Sequence, residues 1–230
     1  MEVVKMSRKK KQNLQTKDQK SELIRRNYTF EIRAEEGEHG NVIVGRPIVY
    51  NSRTDMGWFD EIIEPGALNA TDLTDVRFLV NHDLSKIPLA RSRRNNGNST
   101  MQLIVDNDGL SIRVLLDIEN NADARALYSA VQRGDITGMS FMFGISDEEW
   151  ENLDSDHPTR HIRALSVVVE VSAVTFPAYE ATEINTRDKA ALENARSALE
   201  SARRSQGESV DTDQEKEKLK IQIAILGGKD

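Results

Sequence analysis

Three residue types that can together carry acyl transfer, namely a serine, a histidine and an acid, stand in strand-like settings far apart in this chain. Ser140 lies in Asp135-Ile-Thr-Gly-Met-Ser-Phe-Met-Phe-Gly144. Read as a strand, this stretch puts Met139, Phe141 and Phe143 on one apolar face and Ser140 on the other. Gly138 and Gly144 leave room for another backbone to come close. A small hydroxyl held on a stiff strand between bulky anchors suits a nucleophile, but strand serines are common and most are only structural. Ser140 becomes chemically interesting if the chain supplies a base.

A serine hydroxyl needs a general base within hydrogen-bond reach, usually an imidazole, and a third group to orient that imidazole. Of the four histidines, His39 in an acidic turn and His157 in a polar stretch read as solvated surface residues. His161, at the mouth of the last strand, is the runner-up. His82 ends Val76-Arg-Phe-Leu-Val-Asn-His-Asp83, where alternation would place it on the apolar face with Phe78 and Val80. The plain alternative is a histidine capping a loop beside Asn81 and Asp83.

The acid carries the most information. Glu170 sits in the middle of the apolar run Ser166-Val-Val-Val-Glu-Val-Ser-Ala-Val-Thr-Phe176. Burying an unpaired carboxylate is costly, so such a residue protonates, faces water or has a partner. An exposed edge strand would explain it without chemistry. In a central strand Glu170 needs a donor, and an imidazole N–H is the kind a triad supplies. The order His82, Ser140, Glu170 differs from the chymotrypsin, subtilisin and α/β-hydrolase orders, and no G-x-S-x-G elbow surrounds the serine.

The elements that must position these residues follow from patterning. Tyr28–Arg33, Asn41–Tyr50 and Val76–Asp83 read as strands, and Met56–Leu68 as an irregular apolar segment packed across a sheet. Met101–Asp106, a turn at Asn107-Asp-Gly109 and Leu110–Leu116 make a hairpin. Asn121 is an expected N-cap for a helix through Gln132, with Ala124, Leu127 and Val131 as its apolar stripe and Gly134 past its end. Glu148–Arg160 reads as a polar excursion and Ile162–Phe176 as the last strong strand. The expected organisation is one mainly β domain over residues 27–184, a basic flexible arm over 1–26 and a C-terminal tail over 185–230. In that tail 187–204 reads as a helix with a thin alanine stripe suited to a partner helix, and 219–226 as strand or helix.

Composition bounds the rest. The 230 residues contain no cysteine and carry a formal net charge of -7. Disulfides, a thiol nucleophile and thiolate metal sites are therefore excluded, and a binder relying on a broadly basic surface is disfavoured. No run has the length of a membrane span or the apolar core of a signal peptide, so the default expectation is a cytosolic protein. The basic residues of the arm, from Lys5 to Lys20, read as solvated or as a docking tail for an acidic partner.

Five blocks in order over residues 40–184 resemble the prohead maturation proteases of tailed bacteriophages, which are related in fold to the herpesvirus assemblins. They are Glu61-Ile-Ile-Glu-Pro-Gly-Ala-Leu68; Val80-Asn-His-Asp83 with Ile87-Pro-Leu-Ala90; Asp108-Gly-Leu110; Gly134–Phe143; and Val169-Glu-Val-Ser-Ala-Val-Thr-Phe-Pro-Ala178. The resemblance implies a serine endopeptidase on a closed or nearly closed β-barrel with flanking helices. By motif, Ser140 is its nucleophile, His82 its base and Glu170 its third member. Assemblins use a second histidine in that third place, which keeps His161 as the alternative.

The resemblance further implies action on the major capsid protein's scaffolding segment and on the protease itself. The setting would be the assembling procapsid in the host cytoplasm, with no cofactor, metal, membrane or specific nucleic acid. Assemblins act as dimers, which makes a homodimer a candidate state. Two departures stand out. Ala90 replaces an expected glycine, and the assemblins' oxyanion-assisting arginine pair has no counterpart after Glu170. Backbone N–H groups around Thr175–Ala178 are candidate oxyanion donors by position. The rival readings are a non-enzymatic procapsid scaffold protein with a protease-like barrel, and an unrelated β-barrel binding module in which the three residues lie far apart.

Overall fold

In the computed structural model, the described residues are 23–28, 32–37, 40–175 and 196–207. They form strands β1 (Leu23–Tyr28), β2 (Ile32–Gly37), β3 (Gly40–Val49), β4 (Arg53–Asp55), β5 (Asp60–Ile63), β6 (Asp75–Val80), β7 (Ala90–Arg93), β8 (Met101–Asp106) and β9 (Gly109–Leu115). Helix α1 (Ala122–Arg133) and strands β10 (Gly138–Glu151) and β11 (Thr159–Val174) follow. A second helix, α2, spans 196–207. The chain is mainly β, as patterning indicates.

The strands lie in two sheets. One is antiparallel, in the order β2-β3-β9-β8; the other runs β1-β10-β11-β5-β4, with β6 pairing both β11 and β7. These pairings leave two open sheets among the described residues. They do not by themselves make the closed or nearly closed barrel that the resemblance implies. The inner faces of both sheets meet in one core that includes Ile43, Ile112, Phe78, Phe141 and Phe143.

β11 organises the larger sheet. Its 16 residues are long enough for two parallel partners in series along one edge. Thr159–Ile162 pair with β5, and Glu170–Ala173 pair with Arg77–Val80 of β6. β10 runs antiparallel along the other edge. β11 is therefore central, and the exposed-edge explanation for Glu170 falls away.

Local chemistry explains several elements. The side chain of Asn121 accepts the N–H groups of Asp123 and Ala124, and Gly134 ends α1 at φ 78°, a left-handed conformation suited to glycine. The stripe Ala124, Leu127, Tyr128 and Val131 is buried, with α1 lying against β2 and β3. In the β8–β9 hairpin, Gly109 has φ 136°, and a Cβ there would stand 2.0 Å from Ile48 O. Any side chain would push the hairpin off β3.

Three expectations are corrected. Residues 23–26, expected within the flexible arm, belong to β1, which pairs with β10. Met56–Leu68 contains the strand β5; the short run hides its alternation because buried Glu61 occupies an inward position. The polar excursion Glu148–Arg160 is instead the far end of the β10–β11 hairpin, which pairs through to Glu151 and Thr159. Of the tail's alanine stripe, Ala198 and Ala202 are half-buried on α2, and 187–195 lie outside the described residues. Leu199 is buried against Phe59, and Arg203 donates to the carbonyls of Leu153 and Ser155. The segments 1–22 and 219–226 lie outside the described residues.

Candidate active site

Period-two alternation and strand register assemble one face. Ser140 of β10 pairs with Ser172 of β11, and Met142 pairs with Glu170. In an antiparallel pair, directly opposed residues share a face. Ser140, Glu170 and Ser172 therefore lie on the same side of the sheet, opposite the Met139, Phe141 and Phe143 face. All three are completely buried. Both faces of β10 are covered here, which the sequence pattern does not reveal.

His82 reaches this face from a turn. β6 ends at Val80, and Asn81 and His82 both take left-handed backbone conformations, at φ 52° and 56°. The expected strand alternation through His82 is broken by that turn. Asn81 is suited to this conformation; His82 is held in it by its surroundings. The Asn81 N–H donates to Ala173 O at 2.9 Å, and its side chain accepts the Thr175 N–H at 2.9 Å. The His82 N–H donates to Ser172 Oγ at 3.1 Å. Beyond the turn, Asp83 accepts from the Ser85 N–H and hydroxyl. Those bonds hold its carboxyl below the usual range.

The ring of His82 then spans two partners. Nδ1 lies 2.5 Å from Glu170 Oε1, and Nε2 lies 2.5 Å from Ser140 Oγ. A carboxylate only accepts, so with Glu170 ionised Nδ1 carries the proton and Nε2 of the neutral ring accepts from the serine hydroxyl. The second carboxylate oxygen, Oε2, accepts the Ser172 hydroxyl at 2.6 Å. The His82 side chain is 10% exposed. Chemically, this arrangement can deprotonate a serine hydroxyl and stabilise the imidazolium that results.

The other sequence candidates lie elsewhere. His161 is eleven residues before Ser172 on β11, roughly 35 Å along an extended strand. Its ring contacts Glu64 Oε1 at 2.7 Å and Glu151 Oε2 at 3.3 Å. His157 contacts Asp60 at 3.2 Å. With Asp55 these two place ligand atoms within 4.8 Å of one another, but the Arg53 guanidinium also binds Asp60, at 2.6 Å. Together with the His157 contact it outweighs the effect of burial and holds the Asp60 carboxyl below the usual range. A cation would compete with that arginine. His39 is outside the described residues.

Among the expected oxyanion donors, the Thr175 N–H is committed to Asn81, and 176–178 are outside the described residues. Sequence reasoning missed Ser172. Its only signal is its place two residues after Glu170, which puts it on the same strand face.

A serine, an imidazole and a carboxylate in line are the arrangement that serine hydrolases use for acyl transfer. Residues 28–196 match the caudovirus prohead serine proteases, and the chain belongs to that family. Among solved structures it is similar to the bacteriophage T4 capsid assembly protease, gp21. That likeness has 12% identity and a TM-score of 0.43, and covers 69% of this chain and 99% of that one. No curated protein matches the chain.

Proposed function

We propose that this protein is a serine endopeptidase that cleaves the scaffolding segment of the major capsid protein, and itself, inside the assembling procapsid in the host cytoplasm. The observation that carries the reading is the unbroken line Ser140 Oγ, His82 Nε2, His82 Nδ1, Glu170 Oε1, with 2.5 Å at each junction. Family membership supplies the class of reaction, and the residue roles are assigned from that geometry.

In this mechanism Ser140 Oγ attacks the scissile carbonyl carbon as its proton passes to His82 Nε2. The C–N bond then breaks, and the imidazolium gives that proton to the leaving amine. Water enters, His82 takes a proton from it, and hydroxide attacks the acyl ester; the C–Oγ bond breaks, the new carboxyl end leaves, and the imidazolium returns that proton to Ser140 Oγ. Glu170 orients the ring through Nδ1–H and offsets its positive charge in both steps. The catalytic unit is residues 27–184 together with the β1 residues 23–26 that pair with β10, and the remaining tails direct packaging with the scaffold.

The test is co-expression with the cognate capsid protein, followed by intact mass analysis, for wild type and Ser140→Ala. Truncated capsid protein and truncated protease in the wild type alone is the expected result. Truncation in both overturns the assignment of Ser140. Assembled shells without truncation in either would instead make the protein a non-enzymatic scaffold component. A chain of residues 23–184 packaged as well as the full chain would refute the role of the tails.

A further inference from the structure

The candidate nucleophile is sealed: Ser140 is 0% exposed. Its strand has a neighbour on each edge, β11 on one and β1 on the other. The two neighbours differ in standing. β11 lies within the family match, whereas that match begins at residue 28, the last residue of β1. Without β1, residues 139–144 of β10 would form a sheet edge among the described residues.

β1 runs antiparallel to β10 with Leu23 opposite Gly144, Asn27 opposite Ser140 and Tyr28 opposite Met139. An open sheet edge offers unpaired N–H and C=O groups that any extended peptide can satisfy, through main-chain bonds that ask little of its sequence. An edge beside a nucleophile is a place to hold a substrate chain. We propose that the edge of β10 beside Ser140 is the docking surface for an extended substrate segment, and that residues Leu23–Tyr28 fill it in cis until substrate displaces them. This deepens the proteolytic reading above and rests on it.

The energetics suit a protease that must wait for assembly. A tethered strand competes at an effective concentration on the order of mM. Dilute peptide cannot displace such a competitor, because apparent affinity falls with the fraction of molecules whose edge is open. Scaffold segments crowded inside a shell reach comparable concentrations, so assembly itself would open the site.

The cysteine-free chain allows a direct test in the full-length protein. Leu23→Cys with Gly144→Cys lets a disulfide lock β1 to β10, and Arg25→Pro with Arg26→Pro loosens it. Successive N–H groups of a strand point to opposite edges, so the two prolines remove at least one ladder donor whichever way β1 is phased. The readout is the rate at which a fluorophosphonate forms a P–O bond to Ser140 and expels fluoride, followed by mass, alongside cleavage of co-expressed capsid protein.

The locked form should label about tenfold more slowly than the same protein after reduction, and the proline variant about tenfold faster than wild type. Equal rates in the locked and reduced forms, with the disulfide confirmed by mass, would overturn the docking proposal while leaving the serine mechanism standing. If the disulfide does not form, a proline variant that labels at the wild-type rate overturns it alone. Absence of both labelling and capsid cleavage in every form would remove the proteolytic reading, and this one with it.

Discussion

Ser172 donates its hydroxyl proton to Glu170 Oε2 at 2.6 Å while its own Oγ accepts the backbone N–H of His82 at 3.1 Å. One buried side chain thus ties the acid to the backbone of the base. The carboxylate is held from one side by Ser172 and presents its other oxygen to the imidazole, so the acid cannot rotate without breaking a charge-assisted bond. The left-handed turn at His82 is held by the same hydroxyl.

Ser172→Ala removes both bonds and leaves a buried carboxylate oxygen and a half-buried N–H without this partner. The expected cost is about 1–3 kcal/mol in stability and on the order of 10²-fold in kcat, because a misplacement of about 1 Å carries that penalty. Ser172→Thr keeps the hydroxyl and should recover most of the rate. A purely structural role would predict lost stability with kcat per folded molecule unchanged. Urea unfolding and capsid-peptide cleavage on the same samples separate the two.

Glu170→Gln retains the shape of the side chain and removes its charge. An amide can offer its NH2 to Nδ1 and favour the wrong tautomer of His82, so kcat should fall by about 10⁴. Ser140→Ala should leave no acyl-enzyme at all. A Glu170→Gln protein that retains more than about a tenth of wild-type activity would remove Glu170 from the role given to it. Single-turnover cleavage, with folded fraction checked by circular dichroism, makes the comparison.

How much of this was legible beforehand depends on whether a signal is local. The caps of α1 and the turn at Gly109 are written in adjacent residues, and both appear where expected. Glu170 in an apolar run stated its own need for a partner, and strand centrality then decided between the two readings. The turn that aims His82 was not legible, because Asn81-His82 can extend a strand as readily as take left-handed conformations. Clasps from Ser172 and Thr175, ninety or more residues away, decide it. β1 was hidden because a polar, basic edge segment lacks the alternation that marks a half-buried strand.

Asp106 gives a pH prediction. It receives both guanidinium nitrogens of Arg46, at 2.5 and 2.7 Å, and the N–H groups of Asp108 and Gly109. Chiefly through Arg46, its carboxyl is lowered from 3.8 to about 2. A depressed folded-state value stabilises the hairpin fully above the unfolded value, and the contribution disappears as pH falls through about 2. Wild type should therefore exceed Asp106→Asn in urea midpoint at neutral pH, with the gap closing on acidification across that window. A gap that stays constant would mean the carboxylate charge contributes nothing.

The far end of the β10–β11 hairpin holds a second buried charge system, and it makes the opposite prediction for activity. Arg160, with its side chain 5% exposed, lies 3.3 Å from fully buried Glu61. It also binds Glu148 and sits 5.6 Å from the centre of the Trp150 ring. Arg160→Met removes one buried partner of the Glu61 carboxylate, and breaking a buried ion pair typically costs about 3–5 kcal/mol. Adding Glu61→Gln should return much of that loss, since the less compensated buried charge is the main expense. Arg160 is ten residues from Glu170 along β11, roughly 30 Å, so cleavage per folded molecule should stay at the wild-type level in both variants. Chemical denaturation read beside specific activity checks it: a fall in activity in the restabilised double variant would show that the two ends of β11 are coupled.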